Sequence, residues 1–263
     1  MSCISGPNNS TNGLVFEFDM NNTKKSWKGA PTTNLQVAPI NFTSGWTTQA
    51  NGSTTALSTN LDAFNNYNSY RYTLANLNTS NQLYNRTVTP TANTSYTFSC
   101  YFRYASGSNK INFTAYTYPG GWNGVTISYN SYSNISLSTI GSATNTGWEY
   151  ITNGWFRVWF SWSQATVTGP VEYNINYELI GGITSFVSSE WDICYAQFEQ
   201  SSYPTPFTSS SRTTSNAILD LTGNNTITSN SLTYANNTFS FNGTSNTIDC
   251  GNSTALSAIT GTS

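Results

Sequence analysis

Trp155, Arg157 and Trp159 alternate along one side of the stretch "NGWFRVWFSW" (153–162), with Phe156, Val158, Phe160 and Trp162 on the other side. Two indoles flanking a guanidinium can stack on the C–H-rich face of a sugar ring. They can equally anchor a protein interface, where Trp, Tyr and Arg carry most of the binding energy. Tyr101 and Arg103 occupy the equivalent side of 96–104, Tyr116 and Tyr118 close the stretch 110–118, and Trp122 tips the turn text "PGGWNG" (119–124). If those strands are neighbours, the eight residues form one patch. Three readings compete for it: core beneath another segment such as 12–35, a subunit interface, or a sugar platform. The residue types favour protein over glycan as what this face touches.

Carboxylates are the other source of chemistry. The chain has 11 Asp and Glu and no His, which removes the commonest general base and the commonest neutral metal ligand. Glycoside hydrolysis needs two carboxyl groups across one bond. Glu172 and Glu178 share a face but stand six residues apart, about 20 Å at strand rise. Glu190 and Asp192 are adjacent on one face, and a solvated or salt-bridged rim is their main reading, with a calcium pair or a catalytic pair as the minor one. Glu199, in "AQFEQ", reads as a structural hydrogen-bonding residue. No serine lies in a G-x-S-x-G context and no glycine loop is built to cradle phosphate. No enzyme, metal or other cofactor is expected.

The elements that must carry these residues read as strands. "SYTFSCYFRY" (95–104), "KINFTAYTY" (110–118) and "VEYNINYEL" (171–179) alternate, the last with Val171, Tyr173, Ile175, Tyr177 and Leu179 inward. "WDICYAQF" (191–198) is apolar on both sides, as a central strand should be. Turn signals separate these runs at 119–124, "TNTG" (144–147), "TGP" (168–170) and "GG" (181–182), and "NLDAFNNY" (60–67) has room for one short helical turn. Many short strands at this spacing predict an all-β protein, an antiparallel jelly-roll β-sandwich. Cys3, Cys100, Cys194 and Cys250 are far apart with no C-x-x-C, and Cys100 reads as a small buried thiol among Tyr96, Phe98, Phe102 and Tyr104.

Charged residues make up 8% of the 263 residues and aromatics 15%, so polarity here is mostly uncharged while the apolar content is ample for a core. A net charge of −2 with nine Lys and Arg leaves no basic stripe for nucleic acid. No apolar run reaches the length of a membrane span, and "MSCISGPNNS" lacks the features of a secretory signal. A surface this poor in charge has little to desolvate on contact and leans toward packing against neighbours.

Two sets of phrases resemble known families. "GLVFEFDMNN…KSW.G" followed by "LDLTGN…F.FNGTSNTID" resembles the opening of a concanavalin A-like (laminin-G-like) lectin domain of phage proteins. Between them, "NGWFRV" and "AQFEQSSYPTPF" resemble the carbohydrate-binding-module-like jelly roll of phage virion proteins. The resemblance implies a jelly roll over 36–212 inserted into a partial lectin-like element made of 1–35 and 213–263, which would serve as a docking arm. A whole lectin-like domain would need roughly 100 to 150 further residues after Gly243. Either that half is absent from this chain or the element is a reduced one. Asn242 and Asn246 stand where such relatives carry aspartates, so calcium or sugar chemistry there is not carried over.

By the same resemblance, the chain is a non-enzymatic virion protein, either a capsid decoration or head fibre or a tail fibre. It would be displayed on the particle surface and assembled in the host cytoplasm, which suits unpaired cysteines. Its partners would be other virion proteins, copies of itself (commonly as trimers) and a host surface glycan. The alternative is a free carbohydrate-binding module or an accessory to a polysaccharide depolymerase.

Overall fold

The structure is a computed structural model that describes residues 28–48, 52–74, 82–86, 88–118, 121–176, 188–213, 217–218, 227–230, 232–235 and 238–250. The chain divides into two compact units, 33–210 and 1–32 together with 211–263.

The larger unit is an all-β sandwich of two six-stranded antiparallel sheets. Sheet A contains β3 (Gly52–Leu57), β4 (Ser69–Leu74), β6 (Thr94–Ser106), β10 (Thr144–Thr152), β11 (Trp155–Gln164) and β13 (Ser189–Glu199), in the order β10-β11-β6-β13-β4-β3. Sheet B contains β2 (Thr47–Thr48), β5 (Gln82–Arg86), β7 (Lys110–Thr117), β8 (Gly121–Ser131), β9 (Asn134–Ile140) and β12 (Glu172–Asn176), in the order β2-β5-β12-β7-β8-β9. The apolar residues of the alternating stretches meet between the sheets. Phe156, Val158 and Phe160 sit opposite Phe102, Cys100 and Phe98 in register, all fully buried. From sheet B, Phe113 comes within 4.4 Å of Phe98 and Tyr173 within 4.6 Å of Phe198, ring centre to ring centre. Tilted and edge-on aromatic contacts of this kind dominate the core.

Local geometry departs from the strand reading at four places. Asn153 and Gly154 both have positive φ, 49° and 79°, and form the two-residue turn that joins β10 to β11. "TNTG" is not a turn: it opens β10, where Asn145 at φ 41° lies in a register shift between Thr144 and Gly147. Trp122 is not a loop tip but a strand residue of β8, paired with Tyr116. The 60–67 stretch makes no helical turn; Asp62 folds it by accepting hydrogen bonds from the backbone N–H of Phe64, Asn66 and Asn68.

A bulge in β13 fixes which side chains face out of sheet A. Tyr195, at φ 52°, is an extra residue between Cys194 and Gln197, so Cys194 and Tyr195 both turn outward. Ala196 and Phe198 then resume the core face, while Gln197 and Glu199 point out.

In the smaller unit, β15 (Thr228–Asn230) pairs with β18 (Thr247–Asp249) and β16 (Thr233–Ala235) with β17 (Thr238–Ser240). Two short strands, β1 (Thr32–Thr33) and β14 (Ser211–Arg212), pair with each other. Segment 12–27, Cys3 and Glu178 lie outside the described residues.

Candidate functional site

The eight aromatic and arginine candidates divide between the two sheets. Trp155, Arg157, Trp159, Tyr101 and Arg103 share the outer face of sheet A, because β11 and β6 are direct neighbours. Tyr116 and Trp122 belong to the outward register of sheet B, with Tyr118 just past the end of β7, and the three join no single patch with the others.

The sheet A group is covered by loops of its own unit. Trp155, Tyr101, Cys194 and Tyr195 form a small buried cluster with Ala63, joined by Ile40 and Phe207. Trp155 donates Nε1–H to the carbonyl of Leu61 at 3.0 Å, and Phe64 packs on Tyr195 at 4.9 Å. Tyr195 donates to Asp62, and its burial pushes its hydroxyl up to about 12. Trp159 lies half-buried across Gly147, where a Cβ would meet its ring at 2.4 Å, so only glycine fits opposite it.

Arg157 is buried over the Tyr101 ring and donates through Nη2 to Ser99 Oγ and to the carbonyl of Thr205. Thr205 is also where Gln197 and Glu199 converge. Glu199, fully buried, accepts from the Thr205 N–H at 2.8 Å through Oε1 and from the Thr205 hydroxyl at 2.7 Å through Oε2. Gln197 Nε2 donates to Glu199 Oε1 at 2.8 Å, and Gln197 Oε1 accepts from the Thr208 N–H at 2.7 Å. The phrases "NGWFRV" and "AQFEQSSYPTPF" are therefore two parts of one latch that pins the 201–208 loop onto sheet A.

One end of the same face stays open. A recess of about 460 Å³ is lined by Arg71, Arg103, Glu190, Asp192, Tyr104 and Asn153, among others. Asp192, with 2% of its side chain exposed, accepts from Arg71 at 2.8 Å and from Arg103 at 2.8 Å. Glu190, 34% exposed, accepts from Arg71 Nη1 at 3.3 Å. Arg71 therefore bridges Glu190 and Asp192, and Arg103 adds a second guanidinium group on Asp192. Among the described residues no group of three or more Asp, Glu or Cys gathers as a metal site. Arg71 carries no signal of this role in the sequence: "SYRYTL" puts it outward, but its partners come from β13, about 120 residues away.

The outer face of sheet B carries a different arrangement. Reading across the strands, Arg86, Glu172, Tyr116 and Trp122 form one row, and Tyr84, Asn174 and Thr114 the next. Tyr116 and Trp122 pack at 4.9 Å, Arg86 bonds Glu172 at 2.6 Å, and Arg86 also lies 5.6 Å over Tyr84. Glu172 holds the Arg86 guanidinium in its charged form by a hydrogen bond and by charge, raising it above its ordinary value. Tyr84, Tyr116 and Trp122 are half-buried and Tyr118 is 62% exposed. Asn174 is buried in this face, and its Oδ1 has no donor among the described residues.

No family model matches the chain, and no curated protein matches it. Solved structures that resemble it include a phage tailspike domain and carbohydrate-binding β-sandwiches. The enzymatically active domain of tailspike protein 4 from bacteriophage CBA120 is 9% identical over 63% of this chain and 21% of that one, with a TM-score of 0.39. The xylan-binding CBM22-1 domain of Xyn10C from Paenibacillus barcinonensis is 13% identical over 69% of this chain and 97% of that one, with a TM-score of 0.38. A carbohydrate-binding module of the β-sandwich superfamily is 11% identical over 66% of this chain and 63% of that one, with a TM-score of 0.37. The chain thus spans about a fifth of the tailspike domain and nearly all of the xylan-binding domain. Nothing about the site rests on these likenesses.

Proposed function

We propose that the protein is a non-enzymatic glycan-adhesion module displayed on the surface of a phage particle, as a head decoration or a tail fibre. The observation that carries the adhesion reading is the Tyr116–Trp122 pair on the outer face of sheet B, with Tyr118 exposed beside it in sequence. Aromatic faces stack on sugar rings, while the adjacent Arg86–Glu172 pair supplies donors and acceptors for hydroxyls. The non-enzymatic part is supported by the state of the carboxylates. Asp192, Glu190 and Glu172 each accept from an arginine, and the chain has no histidine to act as base. The particle location and the lectin-like reading of the chain ends rest on the sequence phrases; oligomerisation belongs to the same proposal.

Glycan-array binding of the wild type and of Trp122→Ala and Tyr116→Ala tests the adhesion. Loss of array signal by both variants at unchanged melting temperature is the expected result; undiminished binding by both overturns it. Immunogold labelling of purified particles tests the location. Label on head or tail is expected, and label-free particles would favour the free carbohydrate-binding module or a depolymerase accessory.

A further inference from the structure

The recess between Arg71, Arg103 and Asn153 is on sheet A, on the other side of the sandwich from the Tyr116–Trp122 row. We propose that it is a second ligand site, independent of that row, that takes a neutral saccharide through a vicinal diol. The recess measures about 460 Å³ and is wide open to solvent, so a ligand there is held from one side.

The argument begins with how rigidly the recess is built. Arg103 donates Nε and Nη2 to Asp192 at 3.0 and 2.8 Å and lies 4.7 Å over the Trp155 ring. Trp155 is itself fixed by its bond to Leu61. Arg71 donates Nε and Nη2 to the two oxygens of Asp192 and Nη1 to Glu190. These bonds hold both guanidinium planes without a ligand, which is the preorganisation a binding site needs.

Several polar atoms of the residues that line the recess remain unspent. Arg103 Nη1 has only a 3.5 Å contact to the Leu61 carbonyl. Glu190 uses Oε2 for Arg71 and for Ser106 Oγ, leaving Oε1 without a partner among the described residues. The exposed Asn153 amide is likewise uncommitted, and its backbone is held at φ 49° by the β10–β11 turn. A donor, an acceptor and an amide that offers both are therefore available together.

Charge selects the ligand class. The two arginines are answered by two carboxylates, so the cluster is formally neutral. Glu190 at the rim opposes an anion and the guanidinium groups oppose a cation. A vicinal diol donates and accepts at adjacent oxygens and matches the set. One ring stands beside it: Tyr132, 61% exposed, lies against Gly154 next to Asn153, while the Tyr104 ring turns into the core against Tyr129 and Trp191.

Saturation-transfer NMR with methyl glucoside, galactoside and mannoside, and with methyl glucuronide as the charged counterpart, tests the site on the full chain. The background is Trp122→Ala, so that failure of the sheet B reading and failure of this one are separable. At least one neutral glycoside should bind saturably to that variant, with the glucuronide at least about tenfold weaker. Adding Glu190→Gln, or Asn153→Gly, which keeps the left-handed backbone, should weaken binding about tenfold, as expected for the loss of one bond to a charged or convergent group. No saturable binding to Trp122→Ala, a glucuronide as tight as the neutral sugars, or no effect of either added substitution would each overturn the proposal. The cluster would then be only a tie between β4, β6 and β13.

Discussion

Replacing Thr205 by Val should unlatch the 201–208 loop at a cost that can be worked out from the bonds it makes. Valine keeps the shape and the β-branch, and it keeps the backbone N–H that Glu199 Oε1 accepts. It removes the hydroxyl that donates to Glu199 Oε2 at 2.7 Å, and no other donor reaches that oxygen among the described hydrogen bonds. Gln197 Nε2 loses its 3.1 Å contact to Oγ1 but retains Glu199 Oε1. A hydrogen bond to a buried carboxylate contributes about 1.5–3 kcal/mol, so the expected loss is about 2 kcal/mol. For a unit of this size that lowers Tm by roughly 4–8 °C. Urea unfolding of Thr205→Val, Glu199→Gln and the double variant provides the cycle. A coupling of at least about 1 kcal/mol between the two sites is expected, since the double variant loses a bond the first change has already broken. A single-variant loss under about 0.5 kcal/mol, or additive losses, would refute the latch.

Tyr72 is fully buried with its hydroxyl unpartnered among the described residues, and burial raises its pKa. Tyr72→Phe should therefore stabilise the sandwich by about 1 kcal/mol in urea unfolding, because an unsatisfied polar group is removed without changing the ring. Tyr195, pushed up to about 12 by burial and its bond to Asp62, keeps its proton longer folded than unfolded. Its contribution is complete below about pH 10 and is lost as pH rises toward 12, so alkaline melting curves should fall less steeply for Tyr195→Phe. Cys100 and Cys194 are buried with thiols raised by desolvation. Peptide mapping after brief alkylation should find both unlabelled in the native protein and labelled after denaturation.

Alternation alone made the inner faces legible. "EYNI" and "FRVWF" place the correct residues in the core because each lies in an uninterrupted strand, and Val171 joins them just before β12. The outer faces are harder to read, for reasons partly local and partly long-range. Tyr195 inserts one residue into β13, so the outward positions Gln197 and Glu199 follow only once the bulge is known. "TNTG" has turn composition, yet β10 uses Asn145 to absorb a register shift, and the extended backbone at Trp122 is set by pairing with Tyr116. Which strands are neighbours is a long-range fact that spacing does not encode. Spacing alone therefore does not separate Tyr116 and Trp122 from Trp155, and it carries no signal for Arg71, Arg86, Tyr84 or Tyr132. Asp62 shows the same limit: its side chain replaces the helical turn that its neighbours' composition allowed.

The placement of β13 bears on how the chain reaches this structure. It fills the slot between β6 and β4, yet it is the last strand of the sandwich to leave the ribosome. Until residues 188–199 emerge, β4 and β6 each present an unpaired edge flanked by aromatic side chains, a template for pairing with another nascent chain. Closure of sheet A then joins residues about 90 and 120 positions apart, a loop-closure step that slows folding relative to the neighbouring β7-β8-β9 meander. Insertion of β13 should therefore be the step that completes sheet A, and a longer wait before it is expected to raise the share of newly made protein lost to aggregation.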